Sequence, residues 1–206
     1  MRTKFTLFYL LVTGLICFGQ NEYKPEDFHA ALIQTKSGAM IVYTGDTHSF
    51  TLDIISKNIK PSEEPNFVIV DNTVLQSIII PFPQKFDFEN MNIETQKQNL
   101  LGYMNYELDY IKNELKEKID NEKYEWVELN NKLFLLWFYD MPKNKDIERQ
   151  VYLTTICFDH ILNLNTPLER ERNDFNFAKD FLIKISQTIK LYDKSINLDE
   201  LYKELN

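Results

Sequence analysis

Glycine, cysteine and histidine are all scarce in this chain, at five, two and three residues among 206. Each scarcity removes a class of chemistry. So few glycines leave no Gly-x-Ser-x-Gly elbow, no glycine-rich phosphate loop and no dinucleotide fingerprint, which argues against serine hydrolase, kinase and Rossmann functions. The histidines, His29, His48 and His160, share no HExxH or HxH spacing, and two cysteines cannot build a thiolate metal cage. The nearest approach to a ligand cluster is Asp46-Thr-His48, where both side chains project from the same side of a strand. Two ligands are too few, and a turn aspartate beside an exposed histidine is the simpler reading. No acidic stretch has the oxygen spacing around a glycine that a calcium loop needs. The residues imply no metal and no cofactor.

Basic residues are also in the minority, 23 against 31 acidic. An acidic surface repels phosphate backbones and anionic headgroups, so the chain is not expected to bind nucleic acid. The one local basic run, Glu169-Arg-Glu-Arg172, is interleaved with acid and reads as a solvated turn.

What is present begins with an export signal. Arg2 and Lys4 form a positive start, Phe5 to Phe18 an apolar run, and Cys17-Phe18-Gly19 a small-residue cleavage pattern. Cleavage is expected after Gly19, giving a signal over residues 1–19 and a mature domain over 20–206. The apolar run is shorter than the roughly twenty residues that cross a bilayer, so no retained span is expected. Lipid anchoring at Cys17 is the competing reading, disfavoured by Ile16 where a small residue is required. Without Arg2 and Lys4 the basic residues fall to 21 against 31 acidic. Cys157 is then alone and cannot form an intramolecular disulfide. Its run, Val151 to Phe158, is apolar, so it reads as a small buried hydrophobe.

Residues 20–28 are polar and read as a mobile lead-in. Strands are expected over Ala30–Gln34 and Ala39–Tyr43 around a Ser37-Gly38 turn, and through Phe50, Leu52 and Ile54, which alternate with polar neighbours. Phe67–Val70 and Val74–Ile80 form another hairpin, closed off by Pro81 and Pro83. From Ile93 to Ile119 the period changes to helical, with Leu101, Met104, Leu108, Ile111, Leu115 and Ile119 as the buried stripe. Tyr103, Tyr106 and Tyr110 then fall opposite it, giving the helix a second contact face. Strands follow at Tyr124–Leu129, Leu133–Tyr139, Gln150–Phe158 and Ile161–Leu164, with Asn130-Asn131 as a tight turn. Leu133–Tyr139 is apolar in both alternating sets and reads as a central strand covered on two sides. Asn173 is placed to cap a second helix with Phe175, Ala178, Leu182, Ile185, Ile189 and Tyr192 on its stripe. A short last helix starts near Asn197.

Strands, long helix, strands, long helix is the order of an α+β fold. It predicts an antiparallel sheet of about six to eight strands, with two long helices and a short C-terminal helix packed on it. This order, with the closing Ile185-Ser-Gln-Thr-Ile-Lys-Leu-Tyr192, resembles the PsbP-like fold and uncharacterised exported bacterial proteins sharing it. The resemblance implies a non-enzymatic adaptor and carries no site residues with it.

Aromatic residues make up 14% of the chain. Trp137 reads as core, whereas Tyr103, Tyr106 and Tyr110 form the candidate binding face, because tyrosine supplies area and a hydroxyl at low entropic cost. Glu107, Glu114 and Glu117 read as a solvated helix face paired with Lys112, Lys116 and Lys118. The functional expectation is an exported, non-catalytic binding or accessory protein of the bacterial periplasm or envelope, or the extracellular space. It would act on a protein partner or small ligand through the first long helix. The alternatives are a carboxylate-dependent envelope hydrolase, which requires a pocket with two or more carboxylates or His48 with Asp46, and an immunity or inhibitor protein directed at a basic target.

Overall fold

The computed structural model describes residues 23–83, 87–88, 90–172 and 174–205. The signal segment, with Cys17, and the cap expected at Asn173 lie outside the described residues. Eleven strands are described, β1 (His29–Thr35), β2 (Gly38–Thr44), β3 (Ser49–Ile55), β4 (Ile59–Pro61), β5 (Phe67–Val70), β6 (Thr73–Pro81), β7 (Asp120–Leu129), β8 (Lys132–Asp140), β9 (Ile147–Cys157), β10 (His160–Glu169) and β11 (Lys190–Tyr192). Three helices join them, α1 (Ile93–Asn113), α2 (Phe175–Ser186) and α3 (Leu198–Leu205).

The fold is α+β and antiparallel, but the strands form two sheets, not one. The first runs β1-β2-β3-β11 and the second β4-β5-β6-β10-β9-β8-β7. Alternation along a strand reports which residues share a face, not which sheet the strand joins, and β4 and β11 are too short to give a pattern. The break at Ser56–Asn58, between β3 and β4, is where the chain passes from one sheet to the other.

The sheets stack face to face. Ile41, Tyr43, Phe50, Leu52 and Ile54 from the first meet Leu75, Phe134, Leu136, Leu153, Leu162 and Leu164 from the second, and Ala178, Leu182 and Ile185 of α2 join the same core. The other face of the seven-stranded sheet carries Leu133, Leu135, Trp137 and Tyr139, covered by Leu100, Met104, Leu108 and Ile111 of α1. Strand β8 is therefore covered on both sides, as its sequence predicts. It lies next to the edge strand β7, however, and β10 takes the middle of the sheet. Asn163, Asn165 and Thr166, all buried in β10, break up the apolar run that would have marked it as central. On the outer face of the small sheet, Ile33, Met40 and Val42 pack under Leu198, Leu201 and Leu205 of α3.

Helix α1 stops at Asn113, short of the expected Ile119. Lys116 is left-handed at φ 55°, and the Glu117 N–H donates to Ile111 O at 3.1 Å, closing the helix. Ile119 still reaches the same core from the following segment. Helix α2 also ends early because Thr188 diverts the chain. Its hydroxyl donates to Ile185 O at 2.6 Å and accepts from the Asp53 N–H at 2.7 Å. Lys190–Tyr192 then pairs with Ser49–Thr51 as β11. The cap on α2 is Asp174, whose Oδ1 accepts from the Phe177 N–H at 3.1 Å.

Gly38 opens β2 where the backbone of β3 passes closest, and a Cβ there would collide with the Ile54 carbonyl oxygen. Gly38→Ala should therefore force the β2–β3 pair apart and cost about 2 kcal/mol or more, read as a fall in the urea midpoint.

Candidate functional site

Two places on the molecule gather chemistry, the tyrosines of α1 and a cleft at the N-terminal end of the described chain. On α1 the tyrosine set divides. Tyr106 and Tyr110 are 67% and 41% exposed, whereas Tyr103 is buried. This corrects the sequence reading of a three-tyrosine face. The buried arc begins at Leu100, not Leu101, and Leu100 stands about 100° round the helix from Leu101, on the side of Tyr103. The Tyr103 hydroxyl accepts from Asn163 Nδ2 at 3.0 Å. Burial raises its pKa, and the Glu107 charge adds to the shift.

Glu107 is not on a solvated face either. It is half-buried, near enough to Tyr103, Tyr139 and Tyr152 to influence all three, and desolvation raises its own pKa. Tyr139 and Tyr152 share a hydrogen bond of 2.9 Å, and burial pushes Tyr139 up to about 12. Tyr152 stacks on Trp137 with ring centroids 3.8 Å apart. Lys112 pairs across the fold with Glu122 at 2.7 Å, and Lys118 with Asp120 at 3.6 Å.

The cleft, of about 400 Å³, is lined by Glu26, Asp27, Asp46, His48, Phe88 and Asp159 among others. It is built by two turns and the segment before β1. One turn, Gly45–His48, joins β2 to β3; the other, Phe158-Asp159, joins β9 to β10. Glu26 closes over the first. Its carboxylate accepts from the Thr47 N–H at 2.5 Å, the His48 N–H at 3.0 Å and the Thr47 hydroxyl at 3.0 Å, and lies 2.6 Å from His48 Nδ1. Gly45 makes room for it, since a Cβ there would run into the Glu26 carboxylate. Asp159 holds the same segment from the second turn. It accepts from the Tyr23 hydroxyl at 2.8 Å and the Glu26 N–H at 3.0 Å, and lies 2.7 Å from His160 Nδ1.

Residues 23–28 are therefore fastened to both sheets rather than a mobile lead-in. The ring stacking agrees. His48 tilts over Phe158 with centroids 4.3 Å apart, and Phe28 sits edge-on to both Phe50 and His160. Phe158 is held at φ 54°, a conformation a bulky residue adopts only when its surroundings impose it.

The chemistry of this cleft is that of a clasp. Burial alone would raise the Glu26 and Asp159 pKa values, but the hydrogen bonds each accepts outweigh it and both are lowered. A carboxylate stabilised in its charged form is a poor general acid and a weak base. Asp46 is exposed at the tip of the turn, and the partner of His48 is Glu26, a residue the sequence reading left in its lead-in. The overlooked signal was Tyr23 and Phe28 bracketing Glu26 and Asp27, an aromatic frame that a solvated leader does not need. No three His, Cys, Asp or Glu side chains among the described residues are placed to hold a metal ion together, and none of their helices is long and apolar enough to cross a membrane. Cys157 is free and fully buried, which raises its thiol pKa.

Glu26→Gln should cost about 2 kcal/mol at neutral pH, the scale of hydrogen bonds to a charged group. Because the Glu26 and Asp159 pKa values are lowered in the folded state, their stabilisation is complete above the ordinary carboxylate range and drains away as pH falls through the lowered values. Glu107 has the opposite sign. The difference in melting temperature between wild type and Glu26→Gln isolates the clasp, and it should shrink steadily below about pH 4.5. On α1, Tyr103→Phe should lower stability by about 1 kcal/mol through the lost Asn163 bond, whereas Tyr106→Lys should leave the melting temperature unchanged.

No protein-family model matches the chain, and no curated protein matches it. Among solved structures it is similar to the solution structure of cyanobacterial PsbP from Synechocystis sp. PCC 6803, at 10% identity over 86% of this chain and 99% of that one, with a TM-score of 0.43.

Proposed function

We propose that this is an exported, non-catalytic binding or accessory protein of the bacterial periplasm, envelope or extracellular space. The observation that carries the reading is the pair Tyr106 and Tyr110, one helical turn apart and open to solvent on a helix whose other side is committed to the core. Each ring offers large area, a hydroxyl and only two side-chain torsions to freeze. The chain carries a formal net charge of −8, which favours a neutral or basic partner.

The hydrolase reading draws on the cleft, where several carboxylates do surround His48. Its two best-placed carboxylates are already engaged in holding the N-terminal segment, and their lowered pKa values oppose acid catalysis. Structural use of the cleft explains the same contacts without a substrate.

The test is capture from envelope extract with wild type and with Tyr106→Lys/Tyr110→Lys. A partner retained by the first and lost by the second, at equal melting temperature, is the expected result. Equal capture by both would remove the tyrosine face from the function. Intact mass of the protein recovered outside the cytoplasm should begin at Gln20. A diacylated Cys17 would replace the soluble form with an anchored one.

A further inference from the structure

Exposed sheet edges are templates for strand addition, and proteins blunt them with charge, proline, bulges or brevity. Three of the four edges here are treated this way. β7 carries Asp120, Glu122, Lys123, Glu125 and Glu128 and has a register break between Asp120 and Lys123. β4 has three residues and ends in Pro61, and β11 also has three. β1 is different. It runs seven residues, His-Ala-Ala-Leu-Ile-Gln-Thr, in unbroken register with β2, and contains no acidic residue, lysine, arginine or proline.

Beside this edge lies a groove of about 890 Å³. The pairing of Leu32 with Ile41 and Gln34 with Ala39 puts Leu32 on the face of the small sheet that turns toward the core. The second sheet does not reach far enough to cover it, and Leu32 is 38% exposed. Ile55, at 75% exposure, Ile59 and Pro61 complete the apolar lining. The charged lining residues are Lys36 and Lys57, and no acidic side chain lines the groove. Both lysines are exposed and neither has an ion-pair partner among the described residues. On a chain with eight more acidic than basic residues, an apolar groove rimmed only by cations is a local reversal of charge.

We infer that β1 and this groove receive an extended, acidic segment of a partner protein, which adds as a strand to β1, sets alternate apolar side chains against Leu32 and Ile59, and places carboxylates at Lys36 and Lys57. This site is separate from the α1 tyrosines and does not depend on them. Main-chain bonds supply affinity in such strand addition, while the alternate side chains and the charges select the sequence. A second copy of this chain fits less well, because it brings an uncharged β1 and two more lysines to a surface already cationic.

The experiment titrates the full chain with two sets of fluorescent ten-residue peptides that alternate Val, Ile or Phe with either Asp and Glu or Lys, read by anisotropy. The acidic set should bind more tightly, Lys36→Glu/Lys57→Glu should weaken it about tenfold or more without changing the melting temperature, and methylation of alternate peptide amides should abolish it. Equal binding of the acidic and basic sets overturns the inference, as does undiminished binding of the methylated peptide. Binding of a long-chain fatty acid with no acidic peptide bound would assign the groove to an amphiphile instead. A concentration-dependent dimer that competes with peptide would assign it to a second copy. Failure of every acidic peptide to bind would remove the site.

Discussion

The seven-stranded sheet is apolar on both faces, and covering both is the constraint that the rest of the fold meets. β8 shows it in one strand. Leu133, Leu135, Trp137 and Tyr139 point to α1, while Phe134, Leu136 and Phe138 point to the other sheet. Each large side chain fully withdrawn from water contributes about 1.5–3 kcal/mol, so neither face can be left open. The helix between β6 and β7 covers one side. The first three strands, α2 and the returning β11 cover the other. Cys157 is free and buried, so stability rests on this double burial and not on a cross-link through that thiol.

Two stacked sheets still have to be held in alignment, and hydrophobic burial is not directional. The polar contacts supply direction. Glu26 binds a turn of one sheet and, through its own N–H, Asp159 on a turn of the other. Thr188 does the same at the far end of α2, bonding the helix carbonyl of Ile185 and both backbone groups of Asp53. Within the seven-stranded sheet, Lys132 Nζ reaches the Ile156 carbonyl and ties β8 to β9. In each case a polar side chain satisfies backbone groups that strand pairing leaves over, so burial and alignment are fixed by the same contact.

Much of this was legible in the amino-acid order. Alternation found most of the longer strands, and the two-sided character of β8 followed from its unbroken apolar run. What was not legible depended on partners distant in sequence. Nothing within residues 20–28 announces Asp159, more than 130 residues away. The period of α1 predicted a helix but began its buried arc at Leu101, and Leu100 together with Asn163, a distant partner in β10, draws Tyr103 into the core. The ends of α1 and α2 were missed because Lys116 and Thr188 stop them by backbone geometry and a bond to β3, neither of which interrupts an apolar period. That Lys36 and Lys57 line one groove was hidden for the same reason, since the two come to the same end of the small sheet only after β2 and β3 have paired.

A covering layer need not match the outline of what it covers, and the mismatch determines where a sandwich like this one can bind. β1 lies at the margin of the small sheet, and its inward residues, Ala30, Leu32 and Gln34, are all exposed. Trimming the strand would remove that apolar surface, yet β1 also supplies Ile33, which is 7% exposed beneath α3. Alternation means the strand cannot keep one face and discard the other. An edge retained for packing on its outer side therefore presents a rim that no second described strand pairs, and an apolar face within. The charges that guard β7 could not be placed on that inward set without opposing Ile41 and Ala39 across the ladder. Selectivity at such an edge has to come from outside the strand, and Lys36 in the β1–β2 turn and Lys57 in the β3–β4 connection stand on the groove beside it.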